Sequence, residues 1–327
     1  MCLYPKLIKN RKYTVTKKNG GNVPELNDMR AKYVPVGCGK CMECKRQKSR
    51  EWQVRLAEEI KINKNGKFVT LTFSDEELQK LDDIIPEEYT GYERDNEICR
   101  LSVRRFLERW RKKYKKSIRH WLVSEIGGTR TERIHLHGIL WTDEVEDIKE
   151  KWGYGFVYIG DYVGDITINY IVKYVNKVDE KHKEYNSKIY TSKGIGANYM
   201  LRNDVKRNEY RGDKTIETYK NRTGIELGLP IYYRNKIYND QQREKLWLYK
   251  LDKEVRYVNG IEVDVSESDD EYYKLLYQER RKNRYLGYGD DRINWELKKY
   301  EAERRHIKKI ERLKKIEEIN NVYKNML

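Results

Sequence analysis

The sequence predicts an α+β protein with an antiparallel sheet and flanking helices. Residues 67–178 follow the order strand, helix, helix, strand, strand, strand, helix. Consecutive strands are typical of an antiparallel sheet, whereas a doubly wound parallel sheet alternates strands with helices. A cysteine-rich element precedes this region, and a charged, mostly helical segment follows it.

Each predicted element rests on a local pattern. The segment "GKFVTLTF" is rich in β-branched and aromatic residues, as strands are, and Ser74 with Glu77 forms a capping-box pattern at a helix start. An acidic loop is expected over residues 84–97. The expected elements are a helix over 46–62, a strand over 66–73, a helix from 74, a helix over 101–116, strands over 119–126, 134–141 and 155–162, and a helix over 165–177.

Three of the five cysteines form a C-x2-C-x2-C run in "CGKCMECK". A short turn lets the thiolates of Cys38, Cys41 and Cys44 converge on one ion, so the spacing indicates a structural Zn²⁺ site. Cys2 is the expected fourth ligand, and Cys99 is a poorer candidate. An iron–sulfur cluster and reduced thiols that only pack in a core are the alternatives.

The formal net charge of +16 favours a polyanion as partner, nucleic acid first. Residues 104–119 contain nine Lys or Arg and one Glu, a net charge of about +8, on a predicted helix with an apolar seam. We expect its cationic back to contact DNA phosphates, and a solvated helix face is the alternative. The expected DNA-binding residues are Arg104, Arg105, Arg109, Arg111, Lys112 and Lys113.

The sequence contains no sign of a membrane protein. No apolar run approaches the length of about 18 residues that a membrane span requires. The first residues, "MCLYPKLIKNRKY", lack the apolar core of a signal peptide. We therefore expect a protein that works in a cytoplasm and has no membrane partner.

Two histidines share one face of a predicted strand. In "IHLHGILW", His135 and His137 are two residues apart, so both imidazoles point the same way. If Glu125 of the preceding strand lies opposite His135, its carboxylate joins them on that face. Two imidazoles and a carboxylate suit Mg²⁺ or Mn²⁺ in phosphate chemistry. Histidines with only a structural role are the alternative.

The segment "YIVKYVNK" contains Tyr-x-x-Lys twice in tandem. On a helix, Tyr170 and Tyr174 lie one turn apart, and Lys173 and Lys177 hold the same relation to each other. Taken alone, the spacing also fits two half-buried tyrosines. A phenol with a pKa near about 10 is a poor nucleophile at neutral pH, and a nearby cation favours its phenolate. We interpret the duplicated unit as two nucleophiles used in turn.

Together, "IHLHGILW" and "YIVKYVNK" resemble the paired motifs of HUH endonucleases, the rolling-circle replication initiators, and "FVTLTF" resembles their first motif. The segments "MCLYP", "VPVGCGKCMECKRQKSREWQVRL" and "LPIYYRNKIY" are similar to gokushovirus-type replication initiation proteins of the Microviridae. The resemblance touches most of residues 1–250, and the double-tyrosine motif is its most specific part. It implies a sheet of the HUH-endonuclease type, which is ferredoxin-like or RRM-like.

The resemblance implies a metal-dependent DNA endonuclease and strand transferase. A divalent ion held by His135, His137 and Glu125 would orient the scissile phosphate of single-stranded origin DNA. Attack by Tyr170 or Tyr174 would form a 5′-phosphotyrosine link and free a 3′-OH primer. After one round of replication, the second tyrosine would cut the regenerated origin, and the freed 3′-OH would close a circle.

One departure from the family concerns the third metal ligand. Ser124 precedes Glu125, where these proteins usually have Gly. A Gly-x-x-x-x-Gly-Lys-Ser/Thr phosphate loop does not occur in the sequence, so a host helicase is implied beside the host DNA polymerase. The expected location is the cytoplasm of the bacterial host.

The leading interpretation is an initiator of rolling-circle replication for a small circular single-stranded DNA phage genome. A plasmid relaxase or HUH transposase shares the chemistry, and a non-catalytic zinc-containing nucleic-acid-binding protein is an alternative of another class. We expect three parts. They are a Cys-rich element with a basic helix over 1–66, a nicking–joining domain over 67–250 with its catalytic core at 67–178, and a charged helical tail over 251–327.

Overall fold

The computed structural model describes residues 2–89, 91–127, 133–178, 185–290 and residue 318. The chain forms two compact units. Unit 1 comprises Met1–Cys44 and Asn239–Leu327, and unit 2 comprises Lys45–Tyr238. The three-part division expected from the sequence stays a prediction. Among the residues just named, no helix has both the length and the apolar character that crossing a membrane requires.

The elements are numbered here in chain order. The strands are β1 (Lys6–Lys9), β2 (Tyr33–Val36), β3 (Gly66–Leu71), β4 (Arg119–Ile126), β5 (Ile134–Trp141), β6 (Val157–Gly160), β7 (Ile189–Thr191), β8 (Thr218–Lys220), β9 (Glu226–Gly228), β10 (Val255–Val258) and β11 (Ile261–Asp264). The helices are α1 (Met42–Ile62), α2 (Asp75–Asp82), α3 (Gly91–Tyr114), α4 (Glu146–Trp152), α5 (Asp165–Asn176), α6 (Ile231–Ile237), α7 (Asp240–Asp252) and α8 (Asp270–Tyr285).

Unit 2 is built on a five-stranded sheet with the order β6–β3–β5–β4–β7. Every neighbouring pair in this sheet is antiparallel. The two central long strands, β4 and β5, are consecutive in the chain and pair along their whole length. The prediction of an α+β protein with an antiparallel sheet is therefore confirmed.

Alternation of side chains divides this sheet into two faces. On the first face, Leu122 of β4 and Leu136 of β5 join a core with α3 and α4, which contribute Phe106 and Trp152 among others. On the second face, Trp121, Val123 and Ile139 pack against α1 and α5. Both faces are thus covered by helices, and α5 lies on the face toward which His135 and His137 point.

The structure corrects the bounds of several predicted elements. The helix predicted over 101–116 begins at Gly91, because Asn96, Ile98 and Cys99 are buried and extend its packed face. The predicted acidic loop over 84–97 therefore gives way to this helix. The strand predicted over 66–73 ends at Leu71, and the one over 155–162 spans only Val157–Gly160. Both α4, with seven residues, and β7, with three, were too short to predict from periodicity.

Unit 1 contains two antiparallel strand pairs, β1–β2 and β10–β11, together with α7 and α8. The pair β10–β11 corrects the prediction of a helical segment from about residue 250. Asn259 and Gly260 connect the strands with positive φ angles of 51° and 82°, the Asn-Gly turn that suits a tight hairpin. The apolar stripe of the predicted tail helix lies outside the described residues. Its members are Ile307, Ile310, Leu313 and Ile316.

Candidate active site

Glu125, His135 and His137 form a compact cluster on the second face of the sheet. Nε2 of His137 lies 3.0 Å from Nε2 of His135 and 3.0 Å from Oε2 of Glu125. Nε2 of His135 lies 3.2 Å from the same carboxylate oxygen. Strand β4 supplies the carboxylate and β5 supplies both imidazoles, so three ligand atoms from two strands converge on one point.

The register of β4 and β5 produces this convergence. Glu125 lies directly opposite His135, and Val123 lies opposite His137. Because side chains alternate along both strands, Glu125 shares a face with the two histidines. The predicted register is therefore confirmed, and the carboxylate lies beside both imidazoles.

Hydrogen bonds at the outer ring nitrogens orient the two histidines. Nδ1 of His135 lies 3.1 Å from the carbonyl oxygen of Arg133, which can only accept, so this nitrogen carries the proton. Nδ1 of His137 lies 3.0 Å from Oγ1 of Thr70, a hydroxyl that can accept in the same way. In these tautomers, both Nε2 lone pairs point at each other and at the carboxylate. Such a donor set fits a divalent cation, since a cation removes the repulsion among the lone pairs.

The charge states of the cluster also suit a cation. Burial alone would raise the pKa of the Glu125 carboxyl, but hydrogen bonds from His135, His137 and Lys177 hold this pKa well below its usual range. Burial lowers the pKa of His137, against the opposing effect of its hydrogen bond to Glu125, so the ring stays neutral at pH 7. A neutral imidazole and an ionised carboxylate are the forms that bind a metal ion.

Helix α5 places both tyrosines of the tandem repeat on this cluster. The ring of Tyr174 stacks on that of His137, with centroids 4.3 Å apart and planes inclined by 9°. The Tyr174 hydroxyl donates a hydrogen bond of 2.6 Å to the Tyr170 hydroxyl, so the two phenol oxygens are adjacent. The edge of the Tyr170 ring meets Phe68 of β3 at a centroid distance of 5.9 Å. The tyrosine face of the helix therefore lies over the histidine face of the sheet.

The two lysines of the repeat have different partners. Nζ of Lys173 lies 3.8 Å from the centroid of the Tyr170 ring and 5.1 Å from that of Tyr174. Lys177 forms an ion pair with Oε1 of Glu125, the carboxylate oxygen that does not face the histidines. The positive charge of Lys173 is thus beside the phenols, and Lys177 mainly holds the carboxylate.

Ser124, the departure from the family pattern, points away from the cluster. It lies on the first face of the sheet, where its hydroxyl donates to Oδ1 of Asn96 at 2.8 Å and accepts from the Tyr185 hydroxyl at 2.7 Å. Its side chain is fully buried in this polar network. A serine before Glu125 therefore leaves the position of the carboxylate unaffected.

The edge of the sheet beside the tyrosines exposes aromatic side chains. Phe156, just before edge strand β6, and Tyr158, within it, are 71% and 52% exposed. Tyr158 pairs in register with Thr70, so it shares the face of the metal cluster. Phe68 contacts both Tyr158 and Tyr170, at centroid distances of 6.1 Å and 5.9 Å. We call Phe156, Tyr158 and Tyr170 the aromatic edge.

The basic helix predicted to bind DNA covers the first face of the sheet, opposite the metal cluster. Arg109 donates to the backbone carbonyls of Lys151 and Trp152, and Lys113 pairs with Asp147, so these two cations also anchor α3 to α4. Phosphate contact by this helix stays a prediction. The residues concerned are Arg104, Arg105, Arg109, Arg111, Lys112 and Lys113.

The four cysteines predicted to bind zinc also lie together, in unit 1. The sulfur atoms of Cys2, Cys38, Cys41 and Cys44 all lie within 4.8 Å of one another. Cys99, the poorer candidate, is instead buried in the core between α3 and the sheet of unit 2.

The segment that carries the histidines and tyrosines is similar to known replication proteins. Residues 66–179 match a family model described as replication-associated protein ORF2. Over 279 residues, the chain is 29% identical to the replication-associated protein ORF2 of Spiroplasma virus 4. That match covers 74% of this chain and 82% of the relative. These similarities support a viral replication initiator. No solved structure is significantly similar to the chain.

Sequence reasoning missed three contributors to this site. Thr70 orients His137 from β3, a strand about 65 residues away in the chain, in a register that pairs the two residues directly. Phe156 and Tyr158 extend the site to the sheet edge. The apolar alternation of β3 and β6 was visible, but their pairing across the sheet was not, and only that pairing places these residues at the site.

Proposed function

We propose that this protein initiates replication by nicking and rejoining one DNA strand with its paired tyrosines. The observation that carries this proposal is the stacking of the tyrosine helix α5 on the Glu125–His135–His137 cluster, which unites two nucleophiles with a set of metal ligands. The similarity of residues 66–179 to replication-associated proteins supports it. In this proposal the sheet is of the HUH type, and the protein is a gokushovirus-type initiator for a small circular single-stranded phage genome.

The cluster would hold a Mg²⁺ or Mn²⁺ ion between Glu125, His135 and His137. Such an ion, when bound, polarises a phosphodiester oxygen and offsets its charge. The chain itself keeps the ligands in place. Thr70 and the Arg133 carbonyl orient the imidazoles, and Lys177 holds the second carboxylate oxygen.

The proposed reaction is a transesterification at one phosphate. A phenol oxygen forms a bond to phosphorus while the bond from phosphorus to the 3′ oxygen breaks. The phenol loses its proton to solvent, and the departing 3′ oxygen takes one up, so the products are a 5′-phosphotyrosine and a free 3′-OH. Lys173, 3.8 Å from the centroid of the Tyr170 ring, favours the phenolate by its positive charge. The reaction needs no external energy because one phosphodiester replaces another.

The second tyrosine allows the strand to be rejoined. After one round of synthesis, the other phenol cuts the regenerated origin and frees a new 3′-OH. That hydroxyl attacks the first phosphotyrosine, which closes a circle and restores the first phenol. The 2.6 Å separation of the two hydroxyl oxygens keeps both nucleophiles at the same metal cluster.

Single-stranded DNA is the substrate that suits this surface. Unpaired bases stack on exposed aromatic rings such as Phe156 and Tyr158. The net charge of +16 attracts the phosphate backbone. Strand separation and extension of the 3′-OH would fall to a host helicase and a host DNA polymerase in the bacterial cytoplasm.

Covalent capture of DNA tests the proposal. The full-length protein is incubated with Mn²⁺ and a tiled set of single-stranded oligonucleotides from the genome that encodes it, and adducts are resolved on a denaturing gel. We expect an adduct with the wild-type protein, none after Tyr170→Phe with Tyr174→Phe, and an unchanged adduct after the distant control Tyr285→Phe. Adducts with the double variant, or no wild-type cleavage with any divalent ion, would contradict the proposal, and the latter favours a non-catalytic binding protein.

A further inference from the structure

The four cysteines of unit 1 come together from three places in the chain. Cys2 precedes β1, Cys38 and Cys41 follow β2, and Cys44 lies in the first turn of α1. The sulfur atoms of Cys2 and Cys41 are 3.8 Å apart, and those of Cys38 and Cys44 are 3.9 Å apart. Neither the proposed nicking reaction nor the similarity to replication proteins involves these residues.

These distances are those of sulfurs that share one tetrahedral ion. With Zn–S bonds of about 2.3 Å, neighbouring sulfurs of a tetrahedron are about 3.8 Å apart. A disulfide would require about 2.05 Å, and a cluster of several iron atoms would need more space between the sulfurs. We propose that these four cysteines bind one structural Zn²⁺ ion.

The backbone around the cysteines is shaped to receive the sulfurs. Gly39 adopts a φ of 76°, a left-handed conformation that favours glycine and turns the chain between Cys38 and Cys41. At Gly37, an added Cβ would lie only 3.0 Å from the sulfur of Cys44, so glycine leaves space for that ligand.

Backbone amides also point at the sulfurs. The amides of Tyr4 and Cys38 donate to the sulfur of Cys2 at 3.3 Å and 3.2 Å, and the amide of Cys41 donates to the sulfur of Cys38 at 3.3 Å. Donors in these positions stabilise negative charge on sulfur, and thiolates are the form that binds zinc.

The ion would join segments that otherwise depend on a small core. The buried core of unit 1 includes Leu3, Met42, Val258 and Leu276, which come from both ends of the chain. Helix α8 already holds both sides of the cysteine cluster. Arg280 donates to the Leu3 carbonyl at 2.9 Å and 2.7 Å, and Asn283 accepts from the Met42 amide at 2.9 Å. A small core commonly requires a metal or another cross-link, and zinc binding supplies folding free energy directly.

Metal analysis of the full-length protein tests this proposal separately from the catalytic cluster. The His135→Ala/His137→Ala variant removes the other metal site, and we expect it to retain about one zinc ion per chain. Cys44→Ser in that background should lose at least about four-fifths of the zinc, whereas the control Cys99→Ala should retain it. Iron in place of zinc, or a metal-free protein whose four thiols react freely, would overturn the proposal.

A second measurement remains decisive if Cys44→Ser fails to fold. Titration of the native chain with a mercurial thiol reagent should release the zinc as four thiols react, and a metal indicator follows the release. Hydrogen exchange after zinc removal should rise at least about tenfold in residues 2–44 and 255–285, and less in residues 66–127. Zinc release without thiol modification, or equal exchange in both regions, would contradict a tetrathiolate site in unit 1.

Discussion

Tyr170 and Tyr174 belong to one repeat, yet the fold gives them different surroundings. The Tyr170 side chain is 43% exposed, whereas Tyr174 is 7% exposed and lies flat on His137. Burial, the hydrogen bond with Tyr170 and the charge of Glu125 raise the pKa of Tyr174 above its usual range. The Tyr170 oxygen is therefore the more accessible nucleophile for an incoming phosphate.

We predict that Tyr170→Phe slows the first cleavage at least about tenfold more than Tyr174→Phe, a difference of about 1.4 kcal/mol in barrier. Phenylalanine retains the ring contact with Phe68, so the loss reports the hydroxyl. The measurement is the single-turnover rate of adduct formation with Mn²⁺. An equal or larger loss with Tyr174→Phe would show that the buried tyrosine attacks first.

Two buried histidines of unit 2 should make its stability depend on pH. Burial lowers the pKa of His137 and of His120 below the usual value of 6.5. Below about pH 6.5 the unfolded chain therefore binds more protons than the folded chain, and stability falls as pH falls. The lowered pKa of Glu125 acts with the same sign below about pH 4.5.

We predict that the melting temperature in magnesium- and manganese-free buffer decreases from pH 7 to pH 5. His137→Gln should make this decrease smaller, because glutamine has no proton to gain. His120→Gln serves as the matched comparison and should act in the same direction. A decrease that is identical in the wild type and both variants would show that other groups cause it.

At the scale of secondary-structure elements, the pairing of β4 with β5 leaves no space for a side chain at Gly138. An added Cβ would lie 2.1 Å from the carbonyl oxygen of Trp121 and 2.8 Å from Cα of Leu122, both backbone atoms of β4. Since backbone atoms of a paired strand cannot give way locally, the strands would have to separate. Gly138 lies next to His137, so this separation would also disturb the metal ligands.

We expect Gly138→Ala to lower the free energy of unfolding by about 2 kcal/mol or more, as overpacking of a core does. Gly228→Ala in β9 is the control, because an added Cβ there meets nothing within 4 Å. Chemical denaturation of both variants measures the difference. Equal stability of the two variants would show that β4 and β5 are farther apart than described here.

The aromatic edge gives edge strand β6 a part in DNA binding. We predict that Phe156→Ala with Tyr158→Ala weakens the affinity for single-stranded poly(dT) at least about tenfold, because each stacked base contributes about 1–3 kcal/mol. Tyr285→Ala, an exposed aromatic residue of α8, is the control and should leave the affinity unchanged. Fluorescence anisotropy without divalent ions separates binding from cleavage. Unchanged affinity of the double variant would exclude the edge as a base-binding surface.

At the scale of the whole molecule, the sequence predicted those features that depend on local periodicity. The alternation in "IHLHGILW" placed both histidines on one face, and a hairpin register added Glu125. Contributions from distant strands were not predictable in this way. Thr70 reaches His137 only through the pairing of β3 with β5, and β7 is too short for a periodic signal.

The charge pattern predicted a basic helix but not its place in the fold. Periodicity shows which side of a helix is buried, and α3 buries Phe106 and Trp110 as expected. It does not show which face of the sheet receives the helix, because both faces of this sheet are apolar. In the hairpin β10–β11, by contrast, the Asn259–Gly260 turn was a readable signal that the charged surroundings obscured.

The most direct test of the central claim is to locate the covalent bond to DNA. The adduct formed with Mn²⁺ is digested with protease and nuclease, and the modified peptide is sequenced by mass spectrometry. We predict a nucleotide attached through its 5′ phosphate to the oxygen of Tyr170 in the wild-type protein, and to Tyr174 in Tyr170→Phe. A nucleotide on any residue other than these two tyrosines, or one attached through its 3′ phosphate, would contradict the account.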